Sequence, residues 1–286
     1  MMNDVKIGII GGSGVYEIEG IKILKELKIK TPFGLPSDKI RIGELEGVKV
    51  AFLPRHAVGH KIMPSEVNSR ANIYALKKIG VEKIISISAC GSLKEEIKPR
   101  DFVIPDQLFD RTKSRPSTFF GDGIVAHVGF AEPYCPHLRK ILVETAKSLS
   151  IPVHDGGTYV CMEGPQFSTK AESKVYRSLG FSVIGMTNLP EAKLAREAEI
   201  CFATVSLATD YDVWKEGEEV SVEKVMANMK VLTENVKKLV KSVIVKLQGE
   251  RNCFCKDALK YAIMTSPKAI NTKTKKKLDL LVKKYI

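Results

Sequence analysis

Residues 83–92 read KIISISACGS, an isoleucine-rich run from Lys83 to Ala89 that stops on three small residues, Cys90, Gly91 and Ser92. A short apolar run closed by small residues reads as a buried strand. Before it, Ser65–Ile79 places Val67, Ala71, Tyr74 and Ala75 at helical spacing, with Lys78 on the exposed edge. The same alternation extends in both directions. Val5–Ile10 and Lys49–Leu53 are strand-like upstream, and Val103–Ile104, Thr158–Met162, Ser182–Gly185 and Ile200–Thr209 downstream. His137–Leu149, a segment capped by Thr169 with Glu172 three residues on, Pro190–Ala198 and Ser221–Leu247 read as helices between and after them. Strands alternating with helices predict an α/β fold: a mixed central β-sheet flanked by helices on both faces.

The strand ends carry the chemistry. They run into Gly11-Gly12-Ser13, Arg55-His56, Ser88-Ala89-Cys90, Glu163-Gly164, Met186-Thr187 and Asp210-Tyr211-Asp212. In open α/β sheets ligands collect at strand carboxyl ends, so ends of this kind converging on one cleft would make a composite site. Residues two apart on a strand face one side, which predicts that Asp210 and Asp212 share one space. Close carboxylates repel unless a proton, a cation or a donor-rich ligand lies between them.

Each motif has a plainer reading beside it. GIIGGSG (8–14) lacks the third glycine of a dinucleotide loop, with Glu17 in its place, and lacks a Walker lysine. What remains is a glycine turn whose amides and Ser13 hydroxyl suit a small anion. Arg55-His56 is either a surface pair or an oxyanion site. The company of Ser13, Ser88, Ala89 and Thr187 favours a phosphate pocket, with the guanidinium fork gripping the anion. Phe167 is either a core ring or a flat face for an aromatic ligand. Val222, Val225, Met226 and Met229 form one helical stripe that packs on the core except where its first turn reaches a ligand.

The chain has 286 residues and a net charge of +12, of which the segment from Lys256, with nine Lys against Asp257 and Asp279, carries +7. No RNA-binding aromatic signature, zinc finger or recognition-helix pattern accompanies that charge, so the tail reads as a solvated lysine-rich face and nucleic acid is not expected. No secretory leader or membrane-length apolar segment is evident, which predicts a cytoplasmic protein and no membrane association. The cysteines at 90, 135, 161, 201, 253 and 255 form no C-x-x-C. Their spacing therefore predicts no metal site. Abundant Lys, Glu and Ile with few Gln hint at a thermophile, in which the Cys253-Phe254-Cys255 pair would have the chance to oxidise.

GIIGGSGVY, TPFGLPSD, LPRH, MPSEVNSRANIYALK, SACGSL, RPSTFF, MEGPQFSTKAES, GMTNLPEAKLAREA and ATDYDVW together resemble the trimeric purine nucleoside phosphorylases. Within that family the chain is similar to the members that act on S-methyl-5′-thioadenosine. The resemblance covers about the first 245 residues. It implies the phosphorylase/hydrolase-like fold, a nucleoside phosphorylase domain over residues 1–248 and a basic helical extension over 249–286. The extension's Cys-x-Cys pair looks like the disulfide-forming end of hyperthermophilic archaeal members.

The family implies a homotrimer or dimer of trimers, a nucleoside substrate, inorganic phosphate as co-substrate, and no metal or organic cofactor. Phosphate would be held by Ser13, Arg55, His56, Ser88, Ala89 and Thr187. Phe167, Ser168 and Met186 would flank the purine and ribose, with Tyr211 between the base-binding acids. Val222, Val225 and Met226 would receive the 5′-methylthio group, closed in by His60 and by His127 of a neighbouring subunit. Asp210 and Asp212 would face adenine, with Asp210 at N7, and His56 would share in catalysis. Two carboxylates match a 6-amino donor and repel a 6-oxo group. An inosine or guanosine phosphorylase, a hydrolytic nucleosidase and a basic nucleic-acid binder are the competing readings.

Overall fold

In order, the chain forms β1 (Ile7–Gly11), β2 (Lys22–Leu27), β3 (Ile40–Leu45), β4 (Val48–Pro54), α1 (Ser69–Lys78), β5 (Lys83–Ser92), β6 (Phe102–Ile104) and β7 (Gln107–Arg111). There follow α2 (Pro136–Ser148), β8 (Val153–Asp155), β9 (Thr158–Met162), α3 (Lys170–Ser178), β10 (Val183–Gly185), α4 (Asn188–Glu197), β11 (Cys201–Asp210), α5 (Val222–Lys246) and α6 (Thr272–Val282). The computed structural model describes residues 5–12, 18–218 and 220–286.

β5 is the axis of the sheet. It pairs in parallel with β1 on one side and β11 on the other, while its last residues turn to pair antiparallel with β10. β1 continues in parallel to β4, and β3 and β2 follow as an antiparallel edge. On the other side β10, β9 and β7 run parallel to one another, and the short β6 and β8 attach beyond β11. The mixed sheet expected from the strand–helix alternation is therefore present.

Side-chain alternation along β5 divides the apolar core in two. Ile84 and Cys90 join α1, α4 and α6 on one face. Ile85 and Ile87 join α2 and α5 on the other. β2, β3, β7 and β8 escaped the sequence reading. β2 is almost wholly exposed, so no apolar run marks it.

The helix starts follow local chemistry. Thr169 and Glu172 form the expected capping box of α3. Ser221 caps α5 through a hydrogen bond from Lys224 N at 3.2 Å. α1 starts later than its spacing suggested, at Ser69, because Pro64–Glu66 forms a separate 3-10 turn and Asn68 takes the cap.

The basic tail is more than a solvated face. Leu278, Leu281 and Val282 of α6 are buried in the same apolar cluster as Ile73, Tyr74 and Phe119. The Thr274 hydroxyl donates to Asp122 O at 2.7 Å and Lys277 pairs with the Asp122 carboxylate at 2.9 Å.

Candidate functional site

The carboxyl ends of β1, β4, β5 and β11 lie side by side because these strands run parallel, and β10 approaches the end of β5 from the opposite direction. The resulting register places Met186 and Thr187, just past β10, level with Ala89 and Ser88. The Ser88 and Thr187 hydroxyls are 2.6 Å apart. Ala89 is exposed between buried Ser88 and Cys90, and its carbonyl accepts from Ser88 Oγ at 3.1 Å. Arg55, His56, Ser69, Arg115, Met186, Thr187 and Glu191 line one pocket.

Arg55 is used differently from the grip expected of it. Its fork closes on Glu191, with Nε–Oε1 at 2.6 Å and Nη2–Oε2 at 3.1 Å. Nη2 also donates to Ser86 Oγ at 2.7 Å and Nη1 to Ile87 O at 2.9 Å. A guanidinium only 3 % exposed requires such a counter-charge. The bidentate edge is therefore occupied, and what Arg55 offers the pocket is the remainder of Nη1 and its field.

Arg115 is a second guanidinium that the sequence reading passed over. It donates to the carbonyls of Met186, Leu189, Met162 and Glu163 and pairs with the Glu163 carboxylate at 3.4 Å. It ties the end of β9 to the turn before α4, and so fixes Met186 and Thr187. Arg115 opens the RPSTFF stretch and Glu191 lies in GMTNLPEAKLAREA, but only the fold shows that both side chains are buried against the pocket.

His56 donates from Nδ1 to Ile62 O at 2.7 Å, since a carbonyl can only accept. Burial first, then the Arg55 charge, lowers its pKa to about 4. The imidazole is therefore neutral near pH 7, with Nε2 free to accept a proton-bearing oxygen. The His60 ring stacks on it at 4.4 Å, and His60 itself is exposed.

Asp210 ends β11 and Asp212 lies in the turn after it. The two share a site, but not by strand alternation. The Asp212 N–H donates to Asp210 Oδ1 at 2.8 Å, an Asx turn, and Asp212 takes a positive φ of 53°. Burial is the main cause that raises both carboxyls above the ordinary range. For Asp210, hydrogen bonds from Thr209 Oγ1 and the Asp212 amide oppose the rise. For Asp212, the Ser173 hydroxyl and the Val213 amide oppose it, and the Asp210 charge adds to it. Asp212 is 4 % exposed, and its Oδ2 has no hydrogen-bond partner among the described residues. Gly91 stands behind the pair, because a Cβ there would lie 2.9 Å from Asp210 Oδ1 and 3.2 Å from Asp212 N.

The remaining expected residues divide. Ser168 is buried and Met186 half-buried, while Phe167 is 49 % exposed. Tyr211 is buried with its ring against Trp214 and beneath Lys215, turned to packing. Val222 and Met226 are exposed at 69 % and 65 %, Val225 is half-buried and His127 is exposed. Ser13 lies outside the described residues.

The pattern that defines the phosphorylase superfamily matches residues 6–245. The chain belongs to the phosphorylase superfamily. This superfamily member is 53% identical over 282 residues to the S-methyl-5′-thioadenosine phosphorylase of Geobacter sulfurreducens, covering 98% of this chain and 99% of that one. That span takes in the C-terminal segment as well. Among solved structures, a methylthioadenosine phosphorylase sourced from an antarctic soil metagenomic library is 48% identical. Its TM-score is 0.94, over 98% of this chain and 99% of that one. The methylthioadenosine phosphorylase of Schistosoma mansoni, solved in complex with adenine, is 35% identical. It superposes with a TM-score of 0.83 over 98% of each chain.

No helix among the described residues is long and apolar enough to cross a membrane. One group of side chains among them has the composition and proximity to hold a metal ion. It consists of Cys135, Cys201, Cys253 and Cys255.

Proposed function

We propose that this phosphorylase superfamily chain catalyses the reversible phosphorolysis of S-methyl-5′-thioadenosine to adenine and 5-methylthioribose 1-phosphate. The observation that carries the reading is the placement of two carboxylates with raised pKa, half-buried Asp210 at the end of β11 and buried Asp212 just past it, on the strand next to β5, whose Ser88 hydroxyl meets that of Thr187. One end of that arrangement suits the donor edge of an aminopurine and the other an oxyanion.

Phosphate would lie against the Ser88 and Thr187 hydroxyls, the Ala89 amide and the Arg55 Nη1 edge. His56 Nε2 would accept the proton that phosphate carries. Arg55 and Arg115 are each countered by a carboxylate of their own, Glu191 and Glu163, so the preference for an anion would come from the donors that face it, the Ser88 and Thr187 hydroxyls and the Arg55 Nη1 edge. A phosphate oxygen attacks the anomeric carbon as the bond to purine N9 breaks, and the anion stabilises the oxocarbenium-like sugar between them. The electron pair released into the purine requires a proton at N7. Asp210 Oδ2 supplies it and is recharged from solvent. Thr209 Oγ1 tolerates either state, since it reaches both Asp210 Oδ2 at 2.6 Å and Cys90 O at 3.2 Å. Asp212 Oδ2 would accept from the 6-amino group, which favours a 6-aminopurine over a 6-oxopurine.

The exposed apolar turn of Val222, Val225 and Met226 would receive the methylthio group, under His60 and under His127 of a neighbouring copy. A homotrimer supplies that neighbour and would cover the side chains that α5 leaves in the open. Adenine release from methylthioadenosine with and without phosphate tests the reaction. Strict phosphate dependence supports it. Equal release without phosphate would make the enzyme a hydrolase, and faster cleavage of inosine would reverse the proposed base preference.

A further inference from the structure

The four cysteines that the fold gathers come from three separate places. Cys135 precedes the first turn of α2, Cys201 opens β11, and after α5 Cys253 caps the 3-10 turn Phe254–Asp257 that contains Cys255. Their sulfurs all lie within 4.8 Å of one another, and Cys201 and Cys253 approach to 3.3 Å. Each thiol is within interaction range of the other three. Tetrahedral zinc with Zn–S of about 2.3 Å requires sulfurs about 3.8 Å apart, inside this spread.

The surroundings favour a bound cation. Cys135, Cys201 and Cys255 are buried at 1 %, 2 % and 1 % exposure within the apolar cluster of α2, α5 and β11, and Cys253 packs against it. Thiols are weak donors and weak acceptors, so four of them facing each other satisfy one another poorly. Four thiolates would repel unless an ion lay between them. A positive side chain attends the group: Lys83, 4 % exposed, bonds Leu247 O at 2.8 Å and Gly249 O at 2.7 Å and bears electrostatically on Cys201 and Cys253. Such a charge offsets the −2 of a zinc tetrathiolate and holds the segment that carries two of the ligands.

We propose that Cys135, Cys201, Cys253 and Cys255 bind one structural Zn2+ in a closed tetrathiolate site that fastens residues 249–257 to the start of the central sheet. All four positions are filled by protein, so no open position remains for chemistry. The site also lies far from the carboxylates. β11 runs from Cys201 to Asp210, about 30 Å at ~3.3 Å per residue. Its role is to stabilise, and metal binding there adds to folding.

The test uses the full chain, purified in parallel with and without thiol reductant, with zinc and iron measured by elemental mass spectrometry in both and the intact mass in the reductant-free sample. One zinc per chain is expected. Replacing it with Co2+ should give the visible bands of tetrahedral cobalt thiolate. Cys253→Ser/Cys255→Ser should fall below a tenth of the wild-type zinc content. Its melting temperature should drop by about 5 °C or more, with kcat for phosphorolysis unchanged below the melt. If that variant is insoluble, metal content and cobalt spectrum of the wild-type chain decide alone. Four free thiols with no metal, two disulfides read from the intact mass, or stoichiometric iron in place of zinc would each overturn the proposal.

Discussion

Asp212 N–H donates to Asp210 Oδ1 at 2.8 Å, so the second acid of the pair holds the first in place through its own backbone. Asp212 Oδ2 is buried without a hydrogen-bond partner among the described residues, with the Ser173 and Ser168 hydroxyls bearing on the same carboxyl. Asp210→Asn keeps the shape and removes the transferable proton. Its kcat on methylthioadenosine should fall by about 10²–10⁴-fold. Asp210→Asn/Asp212→Asn should shift preference toward inosine, read as the ratio of kcat/KM for the two nucleosides. An unchanged ratio would remove the pair from substrate choice.

Gly91 permits this pair to exist. Its Cβ would lie 2.9 Å from Asp210 Oδ1 and 3.2 Å from the Asp212 backbone. Gly91→Ala should therefore displace the acids and lower kcat/KM at least tenfold, at a cost of about 1–3 kcal/mol in stability. Paired kinetics and urea melts measure both. Full activity in the variant would show that the carboxylates are not held as described.

Glu191 neutralises Arg55 in the interior, at 2.6 Å. Glu191→Ala leaves a buried guanidinium unpaired, which costs about 3–5 kcal/mol. Glu191→Gln keeps the volume, and the freed Arg55 edge should alter the KM for phosphate more than the KM for nucleoside. Initial rates with each substrate varied in turn decide. Equal shifts in both would count against a phosphate site at Arg55.

His56 sets an acid limit on stability. Its pKa is about 4 folded against 6.5 unfolded, so the unfolded chain binds the extra proton between those values. The contribution is intact above pH 6.5, and is lost as pH falls from there through about 4. His56→Asn should flatten that part of the stability–pH curve, measured by denaturant midpoints at successive pH values. An unaltered slope would mean that His56 is not the group responsible.

Removing residues 272–286 should destabilise the body of the protein. Leu278, Leu281 and Val282 are buried against it, each worth about 1.5–3 kcal/mol. A truncated chain with an undiminished melting temperature would return α6 to the status of a surface appendage.

Much of the architecture was legible because burial leaves its period in the sequence. β1, β4, β5, β9, β10 and β11 each show an apolar run closed by small or polar residues, and Thr169 with Glu172 announces α3. β2 left no such trace, being paired only at an exposed edge. Ser88 and Asp210 were legible because β5 and β11 run parallel and bring their carboxyl ends together, whereas Thr187 arrives on β10, antiparallel to the end of β5, and Asp212 through a turn. The orientation of individual groups was not legible. Tyr211 sits between two site carboxylates yet packs on Trp214, because the chain turns after Asp210 and no longer alternates.

By itself the sequence determined the strand–helix alternation and the gathering of the β1, β4, β5 and β11 carboxyl ends along one edge. These follow from local periodicity and from the parallel order it imposes. Only the tertiary structure decided that the Arg55 fork belongs to Glu191, 136 residues away, and that Cys135 and Cys201 meet the Cys253–Cys255 pair. Such partners are chosen by burial: a charge or a thiol removed from water must be matched by whatever the fold has brought within a few ångströms, and spacing along the chain carries no record of that choice.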